Sequence, residues 1–145
     1  MIREAEYEDL DSMLELYLHL HETSVPKHDD NLEKMWDKMI LDEDYHIIVN
    51  EIDGKIVSSC VCIILPNITR NVRSFALVEY VVTHADFRGK GYATECLNYA
   101  KEIAKREKCY KIMLMTGSKK PETLRFYENA GYSSADKTGF NQSLE

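Results

Sequence analysis

Apolar residues recur along the chain with two different periods, which alternate from one stretch to the next. In four stretches they return every three or four residues, as on one face of an amphipathic helix. Between those stretches they alternate or run continuously, which is typical of half-buried and buried strands. The predicted helices run from Asp9 to Leu20, from about Asn31 to Leu41, from Gly91 to Arg106, and from Pro121 to a stop at Gly131. The predicted strands are Ile2 to Ala5, Tyr45 to Ile52, Lys55 to Leu65, Ser74 to Thr83 and Tyr110 to Thr116, with one or two more in Tyr132 to Leu144.

The order of these elements, β-α-α-β-β-β-α-β-α-β, predicts the fold class. Asp53-Gly54 is a two-residue turn signal, so the strands on either side of it should form a hairpin. An antiparallel meander that leads into a β-α-β unit predicts a mixed sheet with helices on both faces, and therefore an α/β fold. The length of 145 residues suits one domain, which we place at residues 1–145.

Charge and composition narrow the range of functions. Asp and Glu outnumber Lys and Arg by 25 to 18, which gives a net charge of −7. This argues against a nucleic-acid partner, because phosphate contacts need a basic surface. No apolar run approaches the ~20 residues of a membrane span, and the N-terminus, MIREAEYEDLD, is too charged for a signal peptide. We therefore expect a cytoplasmic protein with no membrane partner.

The cysteines and histidines show no metal-ligand spacing. The four cysteines, Cys60, Cys62, Cys96 and Cys109, contain no C-x-x-C pair, and the five histidines form no H-E-x-x-H pattern. Cys60, Cys62 and Cys96 lie in apolar strand or helix patterns, which favours buried reduced thiols over a disulfide. We predict no metal site.

The stretch VEYVVTHADFRGKGYAT, residues 78–94, passes from a β-branched strand through a glycine-containing loop into a helix. Free N–H groups and the positive end of the helix dipole favour an anion at such a place. The P-loop pattern G-x-x-x-x-G-K-[ST] is absent from the chain, and the dinucleotide pattern G-x-G-x-x-G fails because Thr94 stands where its last glycine belongs. The loop is predicted to bind phosphate in some other way.

Two motifs together carry a resemblance to a known family. Residues 88–93, RGKGYA, fit the pattern [QR]-x-x-G-x-[GA], and residues 126–132, FYENAGY, fit F-Y-E-x-x-G-[FY]. In this order and on these elements they resemble the GCN5-related N-acetyltransferases, over nearly the whole chain. The resemblance implies a mixed, mostly antiparallel central sheet of six to seven strands flanked by about four helices. It also implies acetyl-CoA (coenzyme A) as cofactor, with the pyrophosphate at Arg88, Gly89, Lys90, Gly91, Tyr92, Ala93 and Thr94 and the pantetheine arm along the backbone of Val81, Val82 and Thr83.

Glu79 is the only acid on an otherwise apolar central strand. Strand alternation predicts that it shares a face with Val81, opposite to Tyr80. A carboxylate on such a strand requires an explanation, because burying a carboxylate without a partner lowers the stability of the protein. One reason is a structural ion pair with Arg70 or Arg73, and the other is a catalytic role in deprotonating an amine.

Residues 78–82, VEYVV, and 109–111, CYK, resemble the glucosamine-6-phosphate N-acetyltransferase branch of the family, in which a glutamate at this strand position is implicated in catalysis. That branch has an aspartate where Met115 falls here, and the loop that follows is longer in this chain. The acceptor therefore stays open between an aminosugar, an amino acid, a polyamine and a protein N-terminus.

Tyr127 corresponds to the family's tyrosine near the cofactor sulfur, which can protonate the departing thiolate. The alternative is a packed aromatic beside Phe126 whose hydroxyl meets a backbone group. With both residues functional, the prediction is an N-acetyltransferase that moves acetyl directly from acetyl-CoA to a primary amine, most simply a small molecule. A catalytically silent acyl-CoA-binding regulatory module is the competing prediction. Homodimers are common in the family, and a homodimer is left open here.

Overall fold

The computed structural model describes all residues from 1 to 145. Its five strands are β1 (Ile2–Glu4), β2 (Tyr45–Ile52), β3 (Lys55–Leu65), β4 (Phe75–Thr83) and β5 (Ile112–Leu114). They form a single sheet in the order β1-β2-β3-β4-β5. The first four strands pair antiparallel, and β5 is parallel to β4. The predicted mixed, mostly antiparallel sheet is confirmed.

The hairpin between β2 and β3 turns at the predicted dipeptide. Asp53 and Gly54 have φ values of 49° and 78°. Both values are left-handed, as the favoured two-residue hairpin turn requires, and glycine adopts this region at little cost. Ile52 and Lys55 pair directly across the turn, so the Asp-Gly signal sets the register where the hairpin begins; the register then shifts between Asn50 and Glu51.

Five helices flank the sheet, one more than predicted. They are α1 (Leu10–Tyr17), α2 (Asp30–Ile40), α3 (Thr69–Val72), α4 (Tyr92–Arg106) and α5 (Pro121–Asn129). The additional helix, α3, is a four-residue turn in which Arg70 and Asn71 have left-handed backbone angles. Such a turn has no apolar periodicity, so the hydrophobic pattern does not predict it. Pro121 begins α5 as predicted, and Gly131, with a φ of 100°, follows its end.

The helices pack on both faces of the sheet, as predicted. On one face, α4 contributes Cys96, Leu97, Ala100, Ile103 and Ala104 to a buried cluster with β3 and β4, and α5 lies against this cluster. On the other face, Met13 and Leu16 of α1 and Trp36 of α2 form a second buried cluster with strand residues. The sheet is therefore covered on both sides, and the two helix pairs lie on opposite faces.

The C-terminal residues depart from the prediction. No strand forms between Tyr132 and Leu144, and β5 is shorter than the predicted Tyr110 to Thr116. The sheet therefore has five strands, and the predicted six to seven is wrong. Residues 133–145 are all exposed, and the run SSADKTG at 133–139 supplies almost no apolar surface to bury. A strand there would have nothing to offset its ordering cost.

The cysteines are free thiols, with Cys60, Cys62 and Cys96 buried and Cys109 half-buried. None of the helices combines the length and the apolar composition required to cross a lipid bilayer.

Candidate active site

Strands β4 and β5 pair over only three residues. Ala76, Leu77 and Val78 lie opposite Ile112, Met113 and Leu114, and no pairing follows. From Glu79 to Thr83, the edge of β4 that faces away from β3 has no partner strand. Backbone donors and acceptors on such an edge can pair with an extended ligand.

A β-bulge interrupts β4 at the start of this unpartnered edge. Tyr80 and Val81 together stand opposite the single residue Cys60, because Val82 pairs with Ser59 and Glu79 with Val61. Tyr80 has a φ of 54°, which is uncommon outside glycine. The bulge reverses the alternation of side chains along the strand.

This reversal corrects the predicted faces of β4. Before the bulge, Ala76 and Val78 belong to the cluster on the α4 face, and after it Val81 packs against the same cluster. Val82 belongs to the cluster on the α1–α2 face. Tyr80 lies near Tyr17 of α1, with ring centroids 6.1 Å apart. The prediction that Glu79 shares a face with Val81, opposite to Tyr80, is therefore wrong.

Glu79 is half-buried and has no ion-pair or hydrogen-bond partner. The salt bridges of the structure do not include it. Arg70 lies over the ring of Tyr110, 5.3 Å from its centroid, and the Arg73 side chain donates a hydrogen bond to the carbonyl of Arg70. The structural ion pair is absent, so the carboxylate stays available for other chemistry.

The loop after β4 presents a row of unbonded backbone donors. None of the N–H groups from Arg88 to Thr94 donates a hydrogen bond to another atom of the protein. Gly89 and Gly91 have φ values of 75° and 85°, and Gly91 is the N-terminal cap of α4. A Cβ at either glycine would meet no atom within 4 Å. Glycine is therefore needed here for its left-handed conformation, which directs the N–H groups, and not to avoid a clash.

The Arg88 side chain is used inside the protein. Its Nε donates to the carbonyl of Thr83 at 3.1 Å, and its Nη2 donates to the carbonyl of His19 at 3.1 Å. The guanidinium thereby ties the loop to the end of β4 and to the chain after α1. Arg88 lies in the loop as predicted, but its guanidinium bonds to the protein itself, and only its backbone N–H belongs to the row of free donors. Lys90 extends over the ring of Phe87, with Nζ 5.3 Å from the centroid.

Tyr127 projects from α5 towards the α4 face of the sheet. Its ring packs edge-on against Phe126 and Tyr132, at centroid distances of 5.0 and 6.5 Å. Its hydroxyl has no backbone partner. Burial raises the pKa of Tyr127, and the charges of Cys60 and Glu79 raise it further. The phenol therefore keeps its proton at neutral pH.

A cavity on the opposite face of the sheet was not predicted in detail. We call it the α1–α2 cavity; it measures about 740 Å³ and is lined by α1, α2, the segment between them, Tyr45 and Tyr80. The sequence did not identify Tyr45 and Tyr80 as cavity-lining residues, because aromatic residues are common in strands for packing alone.

Glu79 is adjacent in the chain to a residue that lines this cavity, Tyr80. Burial raises the pKa of Tyr45, another lining residue, and the charges of Tyr80 and Glu79 add to the effect. The charge of Glu79 also adds to the raised pKa of Tyr127, which packs against the cluster on the α4 face.

Comparisons with known proteins point in the same direction. A glucosamine 6-phosphate N-acetyltransferase of Trypanosoma brucei brucei is 32% identical over 84 residues, which are 58% of this chain and 55% of that protein. An uncharacterized N-acetyltransferase of Methanocaldococcus jannaschii is 30% identical over 139 residues, 90% of this chain and 59% of that protein. The chain thus spans somewhat more than half the length of these two curated relatives.

A solved structure is similar over the whole chain. A protein from Agrobacterium tumefaciens, assigned as an acetyltransferase, superposes with a TM-score of 0.91 and is 35% identical, with 99% of each chain covered. The model of the acetyltransferase (GNAT) family matches residues 10–132, which include the bulged strand, the glycine loop and Tyr127. The chain belongs to the GNAT family of acetyltransferases.

Proposed function

We propose that the protein is an acetyl-CoA-dependent N-acetyltransferase that moves an acetyl group directly to a primary amine of a small molecule. The observation that carries the proposal is the row of unbonded N–H groups from Arg88 to Thr94, which follows directly on an unpartnered strand edge. A dianionic pyrophosphate is bound well by such a row at a helix N-terminus. The family to which the chain belongs supports the assignment of the donor.

The loop and the strand bind different parts of the cofactor. Gly89, Lys90, Gly91, Tyr92, Ala93 and Thr94 hold the pyrophosphate with their backbone N–H groups, together with the N–H of Arg88. Val81, Val82 and Thr83 offer their backbone to the pantetheine arm, in the manner of strand addition. The cofactor supplies an acetyl thioester, and the protein fixes its position.

Starting from the ammonium form, the reaction forms a C–N bond, breaks a C–S bond and removes two protons from the nitrogen; the first is released through a base to solvent, and the second balances the proton that the sulfur gains. An alkylammonium has a pKa near 10.4, so presenting the neutral amine at pH 7 costs roughly 4–5 kcal/mol. Glu79, a half-buried carboxylate without a partner, accepts this proton. Tyr127 Oη holds the proton that the departing sulfur needs. The phenol is fully protonated at neutral pH and can serve as this acid, although burial raises its pKa and so makes proton transfer to a thiolate, whose conjugate acid has a pKa near 8.5, more uphill.

The cofactor site can be tested by calorimetry. We expect acetyl-CoA to bind the wild-type protein at micromolar concentration. Gly91→Ala should weaken binding by roughly tenfold, about 1.4 kcal/mol, because an L-residue disfavours the left-handed backbone that aims the N–H groups.

Gly54→Ala is the matched control, since Gly54 has a similar φ of 78° in the distant β2–β3 turn. It should lower the urea midpoint of unfolding as Gly91→Ala does, but leave acetyl-CoA affinity unchanged. Absence of binding to the wild-type protein, or equal loss in both variants, would argue against this assignment.

A further inference from the structure

The α1–α2 cavity has a chemical character of its own. Its volume of about 740 Å³ lies within the usual range for small-molecule sites. Most of its lining is apolar or aromatic, with Leu14, Leu20, Pro26, Met35, Met39 and three tyrosines, Tyr17, Tyr45 and Tyr80. Such a lining favours a ligand whose body is apolar.

The charged side chains of the lining are few and mostly negative. Glu22 and Asp42 contribute two carboxylates, and Lys38 is the only lysine or arginine. A phosphate ester is normally held by several cationic or backbone donors, most often arginine. One lysine against two carboxylates does not provide that, so the cavity does not suit a phosphorylated sugar.

The same side chains suit a cation. The faces of aromatic rings attract an ammonium group, and the rings of Tyr17 and Tyr80 lie with their centroids 6.1 Å apart at the β4 end of the cavity. Glu79 directly precedes Tyr80 in the chain. An amine whose apolar body fills the cavity can therefore place its nitrogen near the carboxylate that accepts its proton.

We propose that the acceptor is an unphosphorylated monoamine with an aryl-alkyl body, bound in the α1–α2 cavity with its amino group towards β4. This rests on the proposed function and deepens it by naming the acceptor class. It differs from the substrate named for the trypanosomal relative, which is 32% identical over 84 residues.

The test compares amines that differ in the polarity of the body, the presence of a phosphate and the number of amino groups. The probes are 2-phenylethylamine, glucosamine, glucosamine 6-phosphate and spermidine. Thiol release from acetyl-CoA gives kcat/KM for each, and calorimetry without acetyl-CoA gives amine binding independently of turnover. We expect kcat/KM for 2-phenylethylamine to exceed that for glucosamine 6-phosphate by at least about tenfold, the lower end of what an apolar pocket discriminates.

Met35→Lys tests the location. Met35 lines the cavity and is 52% exposed, so the substitution should not disturb folding. It should lower kcat/KM and binding for 2-phenylethylamine by roughly tenfold, because it places a second cation beside the bound amine. Leu41→Lys is the matched control: Leu41 directly follows the same helix, is 79% exposed and lies outside the lining. It should change neither quantity, and neither variant should alter acetyl-CoA affinity.

The outcomes separate this proposal from the proposed function. Turnover that favours glucosamine 6-phosphate or spermidine would overturn the acceptor class while leaving the N-acetyltransferase assignment intact. Binding of 2-phenylethylamine that Met35→Lys weakens, with no turnover of any amine, would support the cavity and contradict the catalytic assignment. A 2-phenylethylamine preference that Leu41→Lys reduces as much as Met35→Lys would overturn the location.

Discussion

Glu79 is the residue on which the proposed chemistry depends most. Its position on an apolar strand made it a candidate in the sequence, with an ion pair as the competing explanation. The structure removes the ion pair, because Arg70 stacks on Tyr110 and Arg73 bonds to the carbonyl of Arg70. The sequence could not decide between these two explanations, since the partner of a carboxylate depends on how the loop before β4 folds.

Glu79→Gln tests the role of the carboxylate as a base. At pH 7 we expect kcat/KM to fall by roughly 10²-fold, because the amide accepts no proton. The loss should shrink as the pH approaches 10, where a growing fraction of the amine is already neutral. The measurement is the pH profile of thiol release for the wild type and the variant. A loss that stays constant from pH 7 to pH 10 would show that Glu79 acts in some other way.

Among the elements, β4 was predicted only in part from the sequence. Its existence, its place in the sheet and the glycine loop behind it followed from the apolar pattern and the Arg88–Ala93 motif. The bulge at Tyr80 did not, because tyrosine at a left-handed φ leaves no trace in a hydrophobic pattern and a one-residue insertion reverses the faces. The α1–α2 cavity depends on this reversal, since it is Tyr80 that reaches the side of Tyr17.

Substitutions at Tyr80 should follow the preferences of left-handed backbone. Asparagine visits this region readily, and a β-branched residue does so only at high cost. We therefore expect Tyr80→Asn to be more stable than Tyr80→Val, by about 1 kcal/mol in the free energy of urea unfolding.

The same pair of substitutions at Leu77, which lies in a regular part of β4, provides the control. There the order should reverse, because valine favours a strand and asparagine does not. If the same variant, asparagine or valine, is the more stable one at both positions, the bulge does not govern stability at Tyr80.

At the scale of the whole molecule, the fold was largely predictable. The alternation of helical and strand periods gave a covered mixed sheet, and the Asp-Gly turn fixed its central hairpin. The prediction failed where structure depends on little apolar surface, namely in the four-residue turn α3 and in the exposed residues after Tyr132. Local turns and solvated tails are determined by contacts that a hydrophobic pattern does not record.

The buried thiols predict how the whole molecule responds to alkali. Burial raises the pKa of Cys62 and of Cys96 from 9.0 to about 12. In the unfolded chain these thiols lose their protons above about pH 9, whereas the folded protein retains them up to about pH 12. The stability they contribute is therefore complete below pH 9 and is lost as the pH rises towards 12.

Urea unfolding between pH 8 and pH 11, under reducing conditions, measures this loss. Cys96→Ala should start from a lower stability, because it leaves a cavity, but its stability should decline less steeply with pH. A decline as steep as that of the wild type would assign the alkaline sensitivity to other groups, such as the buried tyrosines.

The central claim is that this chain moves acetyl from acetyl-CoA to an amine with Tyr127 as the acid, and one measurement tests it most directly. The protein is incubated with acetyl-CoA and the amine panel, and free thiol and N-acetylated amine are quantified together, the latter by mass spectrometry. We predict equal amounts of both products. Tyr127→Phe should lower the rate by roughly 10²-fold or more with unchanged acetyl-CoA affinity, whereas Tyr132→Phe, which alters the neighbouring ring, should have little effect. Tight acetyl-CoA binding without any acetylated amine would contradict the claim and indicate a silent acyl-CoA-binding module.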